Sequence, residues 1–153
     1  MYVARKKVTH IYIATNWDTH SYLLRLIFLC MTERTNNGVT INLIEKEIMS
    51  GQELHGTVDI DYTGRFDSIV INSQIENSND IFNYTSLNGK KTNYQYARIS
   101  IFKDDLHDKK KLEFTAVTLH EPRNNYTNSK FRVALVQEHK EVASALAFVK
   151  ILR

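Results

Sequence analysis

From Val39 onward the apolar residues of this chain recur every second position, and that period constrains its folding more than any other feature. Val39, Ile41 and Leu43 alternate with Thr40 and Asn42. The stretch from Glu53 to Tyr62 is the clearest case. Leu54, Gly56, Val58, Ile60 and Tyr62 share one face, and Glu53, His55, Thr57, Asp59 and Asp61 share the other. Successive side chains of a strand point to opposite faces, so this pattern predicts a strand with one buried and one wetted side. Further strands are expected from Phe66 to Ile75, Tyr94 to Phe102, Leu112 to His120 and Phe131 to Val136, all rich in β-branched or aromatic residues. In the third of these, Ala97, Ile99 and Ile101 oppose Tyr94, Tyr96, Arg98 and Ser100.

The intervening segments read as turns. SGQ (50–52), TGR (63–65), ENSND (76–80), LNGKK (87–91), KDDLHDKKK (103–111) and EPRNNYTNSK (121–130) are rich in glycine, asparagine or charge. The only proline, Pro122, lies in one of them and interrupts no strand. The end of the chain, EVASALAFVKILR, fits two patterns. As a helix it aligns Val142, Ala145, Leu146 and Val149; as a strand it aligns Ala143, Ala145, Ala147, Val149 and Ile151. Placed after FRVALVQEH and a short turn, a closing hairpin strand is the favoured reading. Short strands at this spacing, with no alternating helices, predict an all-β antiparallel immunoglobulin- or arrestin-like sandwich of about seven or eight strands.

Residues 1–36 stand apart as an N-terminal extension to a sandwich domain spanning 37–153. The apolar run from Tyr22 to Met31 contains Arg25 and is far shorter than the roughly 20 residues a bilayer span needs. It also lacks a small-residue cleavage site, so a secretory signal is not expected and the chain is expected in the cytoplasm. Two readings stay open. The segment is either an upstream extension ahead of a start at Met31, or a helix whose face is Leu23, Leu24, Ile27 and Phe28, with Leu26 and Cys30 nearby. Of the net charge of +3, all resides in residues 1–30, where Arg5, Lys6, Lys7 and Arg25 oppose Asp18. The remainder is neutral and carries no general polyanion footprint.

The segment INLIEKEIMSGQELHGTVDIDYTGRFDSIVI (41–71) resembles the start of an arrestin-type β-sandwich, a family that includes the arrestin-like subunit of retromer and bacterial sporulation-control proteins. Gly51, Glu53, Gly56, Val58 and Ile60 fit its glycine-and-acid turn and following strand; Ile69 and Ile71 fit the next strand, and FRVALV (131–136) a later one. The sequence departs from the family in having Ser50 where a proline is usual, and in having room for one sandwich domain rather than two. The resemblance implies a non-enzymatic protein-binding or adaptor module with a protein partner. It carries over no functional residue.

Two constellations offer alternatives. In DIDYTGRFD, Asp59, Asp61 and Asp67 flank Gly64 with the spacing of the third calcium loop of the phospholipid-binding domains of synaptotagmin and protein kinase C. That resemblance implies calcium-dependent contact with a membrane surface. Calcium takes about six to eight oxygen ligands, and the acids that would complete the shell are missing: only Asp18 lies upstream, and Asp104, Asp105 and Asp108 follow in the wrong order. The competing reading is a hairpin with an acidic outer face, Gly64 shaping the turn. A three-residue loop would set Asp61 opposite Asp67, whereas a two-residue loop would separate them. The second constellation is Lys90, Lys91, Tyr94, Tyr96 and Arg98. On one strand, Tyr94, Tyr96 and Arg98 share a face, as in platforms that stack single-stranded nucleic acid beside cations; tyrosines pairing across an exposed sheet produce the same pattern.

Little else points to chemistry. His10, His20, His55, His107, His120 and His139 have no zinc spacing, and Cys30 is alone. No nucleophile elbow, phosphate loop or dinucleotide fingerprint occurs, so neither enzymatic activity nor a cofactor is expected. Sequons at Asn83 and Asn125 are read as ordinary loop sequence.

Overall fold

A computed structural model describes residues 38–106 and 110–153. The expectations for residues 1–36, including the helical face at Leu23 to Phe28 and Cys30, lie outside the described residues, as do His107 and Asp108.

Ten strands follow in chain order: β1 (Val39–Leu43), β2 (Glu47–Met49), β3 (Glu53–Ile60), β4 (Ser68–Ile75), β5 (Asn83–Leu87), β6 (Lys90–Gln95), β7 (Arg98–Phe102), β8 (Lys111–Val117), β9 (Tyr126–Gln137) and β10 (Lys140–Leu152). They form two five-stranded sheets, ordered β1-β3-β8-β5-β6 and β2-β10-β9-β4-β7. Every pairing is antiparallel except that of β2 with β10, which is parallel. The architecture is the expected all-β sandwich, with more strands than the seven or eight expected.

The inner faces carry the residues that the alternation marked. Leu54, Val58 and Ile60 from β3, Ile69 and Ile71 from β4, and Ala143, Ala145, Ala147, Val149 and Ile151 from β10 are all buried. An aromatic cluster occupies the centre. Phe114 stacks on Phe131 with centroids 5.8 Å apart, Phe82 tilts against Phe131 at 4.8 Å, and Tyr84 meets Phe114 edge-on at 5.9 Å. Gly56 pairs with Phe114 across the β3–β8 ladder. A Cβ there would sit 2.2 Å from the Phe114 ring, so the glycine leaves the space into which the ring folds.

Several sequence expectations need correction. Residues 59–67 do not form a hairpin: β3 ends in one sheet and β4 begins in the other, so this segment crosses between sheets. Tyr94 to Phe102 is not one strand. It breaks after Gln95 into β6 and β7, again in opposite sheets. The period of two cannot reveal either crossing, because inward and outward positions continue to alternate when the chain changes sheets. The supposed turn at 121–130 is a strand from Tyr126, and β9 runs to Gln137. The C-terminal segment resolves as strand: β10 pairs with β9 along its whole length through a turn at Glu138 and His139, both at positive φ. Once β9 supplies a hydrogen-bonding edge, extended backbone that buries the alternating alanines wins over intrinsic helix propensity.

Candidate binding cleft at the open side of the sandwich

The three aspartates of the acidic motif are not brought together into one site. Asp59 lies in β3, exposed, between Thr40 and Lys111 of the neighbouring strands. Its charge therefore has a lysine opposite it in the ladder. Asp61 follows the end of β3, and its backbone N–H donates to the Gly38 carbonyl at 2.9 Å. Asp67 reaches the other sheet, where its carboxylate Oδ2 accepts the backbone N–H of Glu138 at 2.8 Å. Its own N–H donates to the Val136 carbonyl and its carbonyl accepts from Lys103. Asp67 thus ties the crossing segment to the β9–β10 turn. Gly64 has no left-handed backbone; a Cβ would lie 2.6 Å from the Tyr62 ring, so it is needed for close approach and not for a hairpin turn. Among the described residues, no three His, Cys, Asp or Glu side chains gather closely enough to hold a metal ion.

The aromatic and basic residues are brought together, by a different route from the one their spacing predicts. β6 is the last strand of one sheet and β7 the last strand of the other, on the same side of the sandwich. The chain steps between them through Tyr96 and Ala97, and the Ala97 carbonyl accepts the Ser73 N–H at 2.8 Å. Between these two edges lies a cleft of about 680 Å³. Lys90, Tyr94, Tyr96 and Arg98 line it together with Ile101 and Leu112.

The hairpin turn positions Lys90 and Tyr94. Asn88 and Gly89 both have positive φ, as a tight two-residue hairpin turn needs, and Leu87 pairs with Lys90 across it. Tyr84 then pairs with Tyr94, which puts Tyr94 on the inner face of its sheet, beyond the aromatic core. Thr92 fastens the strand by donating its hydroxyl to the Tyr84 carbonyl at 2.7 Å. On the opposite wall, Ile101 packs against the core from β7. The floor is therefore apolar and continuous with the core. The rim is aromatic and basic: Tyr94 is 44% and Tyr96 64% exposed. Asp105 is the acidic residue in the lining, against Lys90 and Arg98.

The floor from Leu112 escaped sequence reading, since nothing local ties residue 112 to residue 94, and Ile101, expected on the same strand as Tyr94, lies instead on the facing wall. The Asn88-Gly89 pair was the available signal for the β5–β6 hairpin. Lys91, grouped with these residues in the sequence, alternates away from Lys90 and does not line the cleft.

No family model and no curated protein matches the sequence. Solved structures do match. The adhesin CfaE of enterotoxigenic E. coli, in a G168D mutant, is 9% identical with a TM-score of 0.51; the match covers 75% of this chain and 48% of that one. The shared property is the fold, a β-sandwich. The collagen-binding domain of a Staphylococcus aureus adhesin is 10% identical, covering 75% and 97%, with a TM-score of 0.37. The sporulation control protein Spo0M of Bacillus subtilis is 12% identical, covering 76% and 49%, with a TM-score of 0.41. The chain spans about half the length of the CfaE chain it matches. No helix among the described residues is long and apolar enough to cross a membrane.

Proposed function

We propose that this domain is a non-enzymatic protein-binding module that seats an extended segment of its partner in the cleft between β6 and β7. The observation that carries the reading is the coincidence, in one place, of an apolar floor, a tyrosine rim, two cations and the outer edges of two strands, unpaired among the described residues. Free edges present unpaired backbone groups that an incoming strand satisfies, while alternate side chains of that strand fill the floor. Tyrosine and arginine are the side chains that most often carry binding energy at such surfaces. An adaptor role is what the arrestin resemblance implies, and the description of CfaE as an adhesin supports a binding role on this fold. The excess of Lys90 and Arg98 over Asp105 favours partner segments bearing acidic residues beside apolar ones.

Peptides selected from a displayed random library against the folded domain test this. The expected peptides are apolar and acidic, shift the amide resonances of residues 90–102, and lose about tenfold or more in affinity against the Tyr96→Ala, Arg98→Ala double variant. Peptides that map to another face would refute the assignment. A single-stranded oligonucleotide that binds the same cleft, with affinity falling steeply as salt rises, would replace it with the nucleic-acid reading of Tyr94, Tyr96 and Arg98.

A further inference from the structure

A second cleft, of about 800 Å³, lies between the β4–β5 and β8–β9 connections and the start of β9, and shares no lining residue with the cleft between β6 and β7. Its centre is His120, whose side chain is 11% exposed. Nδ1 lies 2.7 Å from Asp80 Oδ2 and Nε2 lies 3.3 Å from Thr127 Oγ1. A carboxylate only accepts, so Nδ1–H donates to Asp80, and Nε2 and the Thr127 hydroxyl share a second hydrogen bond. Asp80 is held below the usual carboxylate range, first by its hydrogen bond from His120 and then by Ser78. The two connections are tied together elsewhere too. Thr118 donates to the Ile81 carbonyl at 3.1 Å and accepts the His120 N–H at 3.2 Å. Asn128 donates its amide to Glu76 at 3.1 Å, and the Glu76 N–H donates to the Asn128 carbonyl. The walls are thus set before any ligand arrives.

The lining selects a ligand class. Glu76, Asp80 and Glu121 in the lining are matched by Arg123 there and by Lys150 and Arg153 beside it, Arg153 donating to the Arg123 and Asn125 carbonyls, so no excess charge of either sign selects an ionic ligand. Apolar ligands find no floor, because the walls are carboxylates, hydroxyls and the amides of Asn77, Asn124 and Asn128. Planar amides and carboxylates offer paired donors and acceptors at the spacing of neighbouring hydroxyl groups. Tyr126 in the lining is 48% exposed, with the Lys150 ammonium 4.8 Å from its ring centroid. An exposed phenol ring beside a dense set of planar polar groups matches a molecule with a flat C–H face and a hydroxyl-bearing edge. We infer that this cleft binds a neutral saccharide, with Tyr126 against the sugar face and Glu121, Asn124 and Asn128 on its hydroxyls.

Titration of the full chain with glucose, galactose, mannose and N-acetylglucosamine, each to millimolar concentration and followed by two-dimensional NMR, tests the inference. At least one sugar is expected to shift the signals of His120, Tyr126 and Thr127 saturably. Tyr126→Ala is expected to weaken that sugar about tenfold or more, while Tyr126→Phe retains it. Tyr96→Ala, in the other cleft, is expected to leave it unchanged. Because Tyr126 is half exposed, thermal melting of the variants will separate lost binding from lost folding. The inference is overturned by no saturable shift with any of the four sugars, by shifts that survive Tyr126→Ala, or by tighter binding of glucuronate than of glucose.

Discussion

Single residues in this protein are constrained chiefly by what lies across a sheet or across the sandwich. Gly56 is the sharpest example. Its missing side chain is filled by Phe114, which in turn stacks on Phe131. Gly56→Ala is expected to displace the ring and destabilise the domain by about 1–3 kcal/mol, measured by urea unfolding. Tyr84 presents the opposite case. Burial pushes its phenol up to about 12, offset in part by the nearby Ser73 hydroxyl, but the two hydroxyls do not meet at hydrogen-bonding geometry and neither has another partner among the described residues. Removing a buried unpaired hydroxyl costs little, so Tyr84→Phe is expected to leave stability unchanged or raise it by about 1 kcal/mol. The raised phenol favours the protonated form in the folded state. Its contribution is therefore complete below the ordinary value of 10.0 and lost as pH rises from there towards about 12. The Phe variant is expected to lose less stability over that interval than the parent.

Three carboxyls act at the other end of the pH scale. For Glu45, burial pushes the carboxyl up, but the backbone N–H and imidazole of His55, both 2.7 Å away, outweigh it and the net shift is downward. Glu141 is lowered by Arg132, and Asp80 by His120. Each folded value lies below its unfolded one, so each group stabilises the fold above the unfolded value and loses that effect as pH falls through the folded one. Melting temperature is expected to decline below the ordinary values of 4.5 for Glu45 and Glu141 and 3.8 for Asp80. Glu45→Gln is expected to flatten that decline while lowering stability at neutral pH.

At the scale of elements, the β9–β10 hairpin holds one sheet together, and its turn is strained. Glu138 and His139 have φ of 49° and 66°, where a two-residue hairpin favours asparagine and glycine. The double change Glu138→Asn, His139→Gly is expected to raise stability by about 1–2 kcal/mol, read from the denaturation midpoint, because left-handed backbone costs about that much per ordinary residue. The Asp67 carboxylate holds the same turn through the Glu138 N–H, so Asp67→Ala is expected to destabilise it by about 1 kcal/mol. These elements show how far local reading extends. β1 and β3 were legible because each buries one face, and period two identifies that face without reference to a partner; β4, β8 and the half of β9 from Phe131 were legible from their β-branched and aromatic residues. β2 and β6 were not legible. β2 is three residues long, and β6, with the sequence KKTNYQ, buries none of its residues. Without a buried face there is no alternation to read.

For the whole molecule, two of the connections that change sheets are decisive for the candidate sites, those at residues 61–67 and 96–97. The first removes Asp59, Asp61 and Asp67 from a common site. The second takes Tyr94 and Arg98 off a single strand and sets them on facing walls of one cleft, where the apolar floor belongs to neither segment alone. The candidate residues of that cleft were legible by type, aromatic beside basic, but not by geometry. Deleting the β6–β7 crossing by a circular permutation that opens the chain at 96–97 is expected to preserve the fold measured by circular dichroism while weakening any ligand of the cleft, since both edges would lose their tether.

The sequence alone determined that the chain from Val39 onward is an all-β sandwich and, in the strands it revealed by alternation, which side chains face the interior. That information is local, because burial on one face of a strand writes itself as alternation. Which strand lies beside which, which connections change sheets, and where the sandwich stays open were decided by tertiary structure. Ladder hydrogen bonds are made by backbone groups that nearly every residue carries, so they leave no mark on the side chains that the sequence records. The same holds for His120. Asp80 comes from the β4–β5 connection and Thr127 from the start of β9, and only the tertiary fold brings both within hydrogen-bonding distance of His120.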